Sequence, residues 1–204
     1  MWGGYDLRGH PDRLAATMTT YTLVYPPAHN GTYVKSTTTY DATNFWPYFA
    51  TDPAKSLTGT SAGNSWAASV TKTNQRFHVD LGAATIIRRV YYENFHNAGL
   101  STTSGAKNFI MQGSNEATAF AQLTYGTDTD WTQLTTSVSL FDQHSAVDAV
   151  DPKYFLVTNT VAYRYYAFKI ADNYAGGYVG LRRIVLMTED GYGGVSFISR
   201  PIFF

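Results

Sequence analysis

The stretch Gln75-Arg76-Phe77-His78-Val79-Asp80-Leu81-Gly82 runs on through Ala83-Ala84-Thr85-Ile86-Ile87-Arg88 to Arg89, and its reading decides the fold. Phe77, Val79 and Leu81 alternate with Arg76, His78 and Asp80, so an extended segment turns one apolar face inward and one polar face outward. Gly82 reads as the end of that strand. A second apolar run resumes at Ile86, carries Val90 and Tyr92, and ends in the polar loop Glu93–Gly99. The pattern is strand, turn, strand, loop.

Working outward, composition limits the function classes. The chain has 204 residues, 44% of them hydrophobic, enough for one sizeable core in one main domain. Lys+Arg and Asp+Glu each number 15, so the formal charge is zero and the chain lacks the basic footprint of a nucleic-acid binder or an anionic-membrane binder. Sixteen Tyr, 12 Phe and 17 Gly suit twisted sheets and turns. The absence of cysteine removes disulfides, thiolate chemistry and Cys-ligated zinc, and fits folding in a reducing cytoplasm. Residues 1–30 contain no apolar signal core, and no window approaches the roughly 18 apolar residues of a spanning helix, so neither processing nor membrane insertion is expected.

Residues 1–20 follow neither helical nor strand period and read as an arm. Asn30-Gly31 is a turn signal inside a β-excursion near 21–40. Residues 41–65 read as loop, with Phe45-Trp46-Pro47-Tyr48 as an aromatic knot, and Trp66 closes it into the core. Strands are expected at Asn108–Gly113, Trp131–Leu134, Tyr154–Val157, Tyr165–Ile170 and Leu181–Leu186, with Tyr154–Val157 apolar enough to be buried on both sides. Ala117–Leu123 is the one place for a short helix. Phe77, Val79, Leu81, Phe109, Met111, Tyr166, Phe168, Ile170, Ile184 and Leu186 are expected to share one core. The organisation is then 1–50 arm and β-excursion, 51–190 sandwich, and 191–204 apolar tail.

Between Ser56 and Thr188, five fragments occur in a telling order. They are Trp66-Ala67-Ala68-Ser69, Arg76–Gly82, Phe109–Ser114, Tyr165–Ile170 and Gly180-Leu181-Arg182-Arg183-Ile184. In this the chain resembles the discoidin (coagulation-factor type C) family and the related galactose-binding-like carbohydrate-binding modules. The resemblance implies an all-β, discoidin-like jelly-roll sandwich, and leaves function open, since such folds bind sugars, lipids and proteins. Many members of the family hold a structural calcium with an Asp before the Trp and a Glu near the last strand. Here the loop Leu57–Ser65 has no carboxylate and Arg183 stands where the Glu is expected, so no metal and no cofactor are expected. Asp128-Thr129-Asp130 reads as a solvated turn.

Catalysis finds no constellation, and no enzyme is expected. Gly59-Thr60-Ser61-Ala62-Gly63 matches a nucleophile elbow in letters but lacks the strand before it and the helix after it. Nothing pairs two carboxylates across a cleft, as a glycosidase requires. His10, His29, His78, His96 and His144 lack metal-ligand spacing. His96 stands out because Glu93–Asn97 is a loop at a strand end, where related modules place hydrogen-bonding side chains; a loop histidine bonded to backbone is the equally weighted alternative. Asp172–Tyr178 is expected near the same rim. The candidate ligand-binding residues are therefore Glu93, Asn94, His96, Asn97, Asn173, Tyr174 and Tyr178, which combine donors, acceptors and aromatic rings as a sugar site requires.

The tail carries Val195, Phe197, Ile198, Ile202, Phe203 and Phe204, apolar enough to call for a partner. With the long arm, this suggests a building block of a virus or bacteriophage particle assembled in the host cytoplasm, bound to copies of itself or other virion subunits and to a glycan. A purely structural virion subunit, and a carbohydrate-binding module of an extracellular bacterial system, are the alternatives.

Overall fold

The computed structural model describes residues 19–190. The arm up to residue 18 and the tail 191–204 lie outside the described residues. Among the described residues there are eleven strands: β1 (Thr20–Val24), β2 (Val34–Ser36), β3 (Trp66–Ala67), β4 (Gln75–Thr85), β5 (Arg89–Asn94), β6 (Phe109–Ser114), β7 (Thr132–Gln133), β8 (Thr135–Thr136), β9 (Lys153–Thr158), β10 (Tyr163–Ile170) and β11 (Gly180–Asp190). They make two antiparallel sheets, one ordered β1-β11-β5-β9-β8 with β3 on β11, the other β2-β4-β10-β6-β7.

The core between the sheets is the expected one. All ten core residues named from the sequence belong to one buried cluster, together with Trp66, Ile87, Val90, Tyr92, Phe141 and Phe155. Their alternation along β4, β10 and β11 puts every second side chain on the inner face. Trp66 is fully buried and donates its indole N–H to the Thr38 carbonyl (3.2 Å), pinning the 37–40 loop to the sandwich.

Several expectations differ from the structure for identifiable reasons. The strand does not stop at Gly82: β4 continues to Thr85, and Gly82 adopts φ +74° at an irregularity where the β10 register shifts between Tyr163 and Tyr165. Its outer face is not solvated either, since Arg76, His78 and Asp80 are as buried as the residues between them. The short helix α1 (Ala117–Ala121) and the loop to Trp131 cover that face and form a second cluster of Ala119, Phe120, Trp131, Tyr165 and Ala167. Conversely, β9 is buried on one side only, because Tyr154 and Leu156 point to solvent. The expected β-excursion near 21–40 supplies β1 and β2, one to each sheet. Asn30-Gly31 turns without positive φ, Asn30 instead accepting backbone N–H groups through its carbonyl and side chain. Asp128 is an anchor rather than a free turn residue, accepting from Gln112 (3.0 Å), Lys169 (2.6 Å) and the buried Arg76.

Candidate functional site

The end of β5 and the start of β11 meet at the pair Asn94 and Leu181, which brings the loops following the one and preceding the other to the same rim. Backbone bridges Gly105 to Gly180 and Ala106 to Asn173, and an edge-on contact between Phe95 and Tyr178 (5.2 Å), knit the two loops together. The predicted neighbourhood is therefore present. What its side chains do differs residue by residue.

Four of the seven predicted side chains turn into the protein. Glu93 accepts the Tyr91 hydroxyl and the Asp151 N–H, each at 2.6 Å. Asn94 donates to the Ala106 and Asp142 carbonyls and accepts from Phe95 N–H. His96 is fully buried: its Nδ1 accepts from Gly99 N–H (3.0 Å), so Nε2 carries the proton and donates to the Leu57 carbonyl (2.9 Å). Asn173 donates to the Gly176 and Tyr178 carbonyls and accepts from Ala175 N–H, closing its own loop. As ligand contacts these four are corrected: buried polar groups are held to internal partners because leaving them unpaired costs about 1–3 kcal/mol each. The bland reading of His96 as a loop histidine bonded to backbone is the one its geometry matches.

The other three keep some surface. Asn97 accepts from the Ser61 N–H and hydroxyl, which also engages the one serine of the elbow-like Gly59–Gly63 turn. Tyr174 donates to the Phe141 carbonyl (2.6 Å) beneath the Lys107 ammonium, which lies 5.3 Å from its ring. Tyr178 is half-buried against Phe95, and Tyr40 packs on it at 5.5 Å.

Tyr40 is the rim residue that sequence reasoning missed. It is 51% exposed and rests on Tyr178 and, edge-on, on Phe45. Its signal in the sequence was a lone aromatic following the polar run Ser36–Thr39, in a stretch with no period. Behind the rim lies a buried cation. Arg182, fully buried, donates to the carbonyls of Ser56 (2.9 Å), Gly59 (3.3 Å), His96 (3.2 Å) and Thr58. Burial lowers its pKa to about 10, which leaves it charged at neutral pH. The loop that lacks carboxylates thus gathers its carbonyls around a guanidinium. Among the described residues, no group of three metal-ligating side chains converges.

Two antiparallel sheets with loops gathered at one rim make a discoidin-like β-sandwich, the fold also found in solved carbohydrate-binding modules and an F5/8 type C domain. Among solved structures the fold matches a truncated AlyQ with CBM32 and alginate lyase domains (TM-score 0.54, 16% identity, 84% of this chain), of which the chain spans 34%. It also matches the CBM32 of AlyQ in complex with 4,5-unsaturated mannuronic acid (0.51, 16%, covering 81% of this chain and 97% of that one). The F5/8 type C domain of a Bacteroides fragilis protein matches likewise (0.54, 13%, 76% and 90%). No family model and no curated protein matches the sequence.

Proposed function

We propose that the chain is a non-catalytic glycan-binding module whose shallow site is the rim around Tyr40, Tyr178 and Tyr174, with Asn97 and Lys107 at its margins. The observation that carries this reading is the exposed Tyr40 ring braced on Tyr178. A ring held by a second ring presents a flat apolar face at little entropic cost, which suits the face of a pyranose. The fold shared with carbohydrate-binding modules supports it. So shallow a site binds at about millimolar strength, and useful adhesion comes from many copies, which raise avidity roughly 10²–10⁴-fold.

The finer reading places the module in the capsid or tail of a virus or bacteriophage particle as an adhesion or decoration element. Its support is the sequence beyond the sandwich, an arm and an apolar tail suited to docking on other subunits. The rival is a structural subunit that binds protein alone. A glycan array probed with the native chain and with Tyr40→Ala tests the glycan reading. Binding lost in the variant supports it; no glycan bound by the native chain, or equal binding by both, transfers the case to the structural subunit.

A further inference from the structure

The outer face of the first sheet, away from the rim, carries a second arrangement of rings around a cation. Cross-strand partners share a side, and the pairs Arg89 with Leu156, Arg89 with Met187, Tyr91 with Tyr154, and Leu23 with Met187 place these residues together on that face. Val90, Tyr92, Phe155 and Val157 point the other way, into the core. The Arg89 guanidinium lies 3.9 Å from the centre of the Tyr154 ring and 5.0 Å from that of Tyr21. Tyr91 leans on Tyr154 at 5.4 Å. Tyr154, Leu156 and Leu23 are each about half exposed.

Among the described residues the charge on this face has no counter-charge bonded to it. Among the described residues Arg89 makes no ion pair or side-chain hydrogen bond, and the nearby carboxylates are engaged elsewhere. Glu189 accepts from Arg88 Nε (3.1 Å), and Glu93 accepts from Tyr91 and Asp151. A guanidinium laid against aromatic rings keeps its in-plane N–H fork free and has already lost most of its rotamer freedom. Such a fork matches a carboxylate through two parallel hydrogen bonds.

We propose that this face is a second binding site, for the carboxylate of a uronic acid residue in an anionic polysaccharide. Arg89 takes the carboxylate and the exposed part of Tyr154 supports the sugar ring beside it. The occupant is chosen by charge complementarity, since a neutral sugar leaves the guanidinium unanswered. A peptide strand is disfavoured because β5 is paired on both sides, by β9 and β11, and offers no backbone edge. The site is separate from the rim and does not depend on it.

The test is calorimetric titration of the full chain at low and moderate salt with an oligogalacturonate and with its carboxyl-reduced neutral counterpart. Arg89→Gln, Arg89→Lys, Tyr154→Ala and Tyr40→Ala are compared, with melting curves confirming that each is folded. The expected result is binding of the acidic oligomer alone, weakened by salt, reduced about tenfold or more by Arg89→Gln, partly retained by Arg89→Lys, reduced by Tyr154→Ala, and unchanged by Tyr40→Ala. The proposal is overturned by no binding of the acidic oligomer, by equal binding of the neutral one, or by an effect of Tyr40→Ala in place of Arg89→Gln. Sedimentation showing a dimer that Arg89→Gln dissociates also overturns it, assigning the face to a second copy of the chain.

Discussion

The imidazole of His96 lies flat on that of His144, ring centres 3.9 Å apart and planes 13° from parallel. Two imidazoles in that position cannot both carry charge cheaply, and burial first, with His144 contributing, holds the His96 pKa below the usual histidine value. His78, under α1, is pushed further, to about 4, by burial and by the charges of Arg76 and Lys35, against the raising effect of its bond to the Phe120 carbonyl.

Both histidines therefore make stability fall in acid. A histidine whose folded pKa is depressed binds its proton more readily when unfolded, so stability is full above about pH 6.5 and is lost as pH falls from there toward the folded value. For His78 the loss reaches about 2 kcal/mol by pH 5. Urea midpoints at pH 7.5 and pH 5 measure it, and His78→Gln should flatten the difference. An unchanged profile in the variant removes His78 from the account.

Leu81→Ala should cost about 2–5 kcal/mol, the range for a leucine deleted from a close-packed core. Leu156→Ala, the same change at a residue 50% exposed on β9, should stay within about 0.5 kcal/mol. Denaturant titrations of the pair compare burial alone.

Arg182→Met should be the most damaging change at the rim. It removes a donor from four carbonyls and leaves those of Ser56 and His96 with none, since Gly59 still accepts from Ala98 N–H and Thr58 from the Ser56 hydroxyl; the loss is about 3 kcal/mol, read as a lower melting temperature. Because a guanidinium already occupies the centre of that loop, the native chain should melt at the same temperature in excess calcium and in chelator. An upward shift of several degrees with calcium would show a metal site and overturn this reading.

Deleting residues 195–204, which lie outside the described residues, should leave the sandwich folded and weaken any assembly the full chain forms. Sedimentation of the two chains reads it. A truncated chain that fails to fold assigns the tail to the domain's own core.

The inward face of the sandwich was legible because its signal is local: Phe77, Val79 and Leu81 alternate at the strand's own period, and the ten core residues follow from such alternations alone. Gly82 misled for the converse reason, since a glycine that ends one strand and a glycine that lets another continue through a bulge look alike until the partner strand is known. The outer faces were not legible. Arg76, His78 and Asp80 show the polar half of an alternation; the folding of α1 and the loop to Trp131 over Arg76 and His78, some 40 to 50 residues away in sequence, and the two bonds from Arg164 to Asp80 are what the sequence did not announce. Tyr154 and Leu156 show the opposite, large residues left about half exposed on the outer face. At the rim, the two loops could be named from sequence, and their adjacency follows from the strand order. Whether Glu93 or His96 faces solvent or an internal partner was decided largely by Asp151 and Leu57, which lie 58 and 39 residues away in the chain. Tyr40 joined the rim the same way, by landing on Tyr178. Period is a property of neighbours in the chain, whereas the fate of a polar group depends on partners that only the tertiary structure assembles.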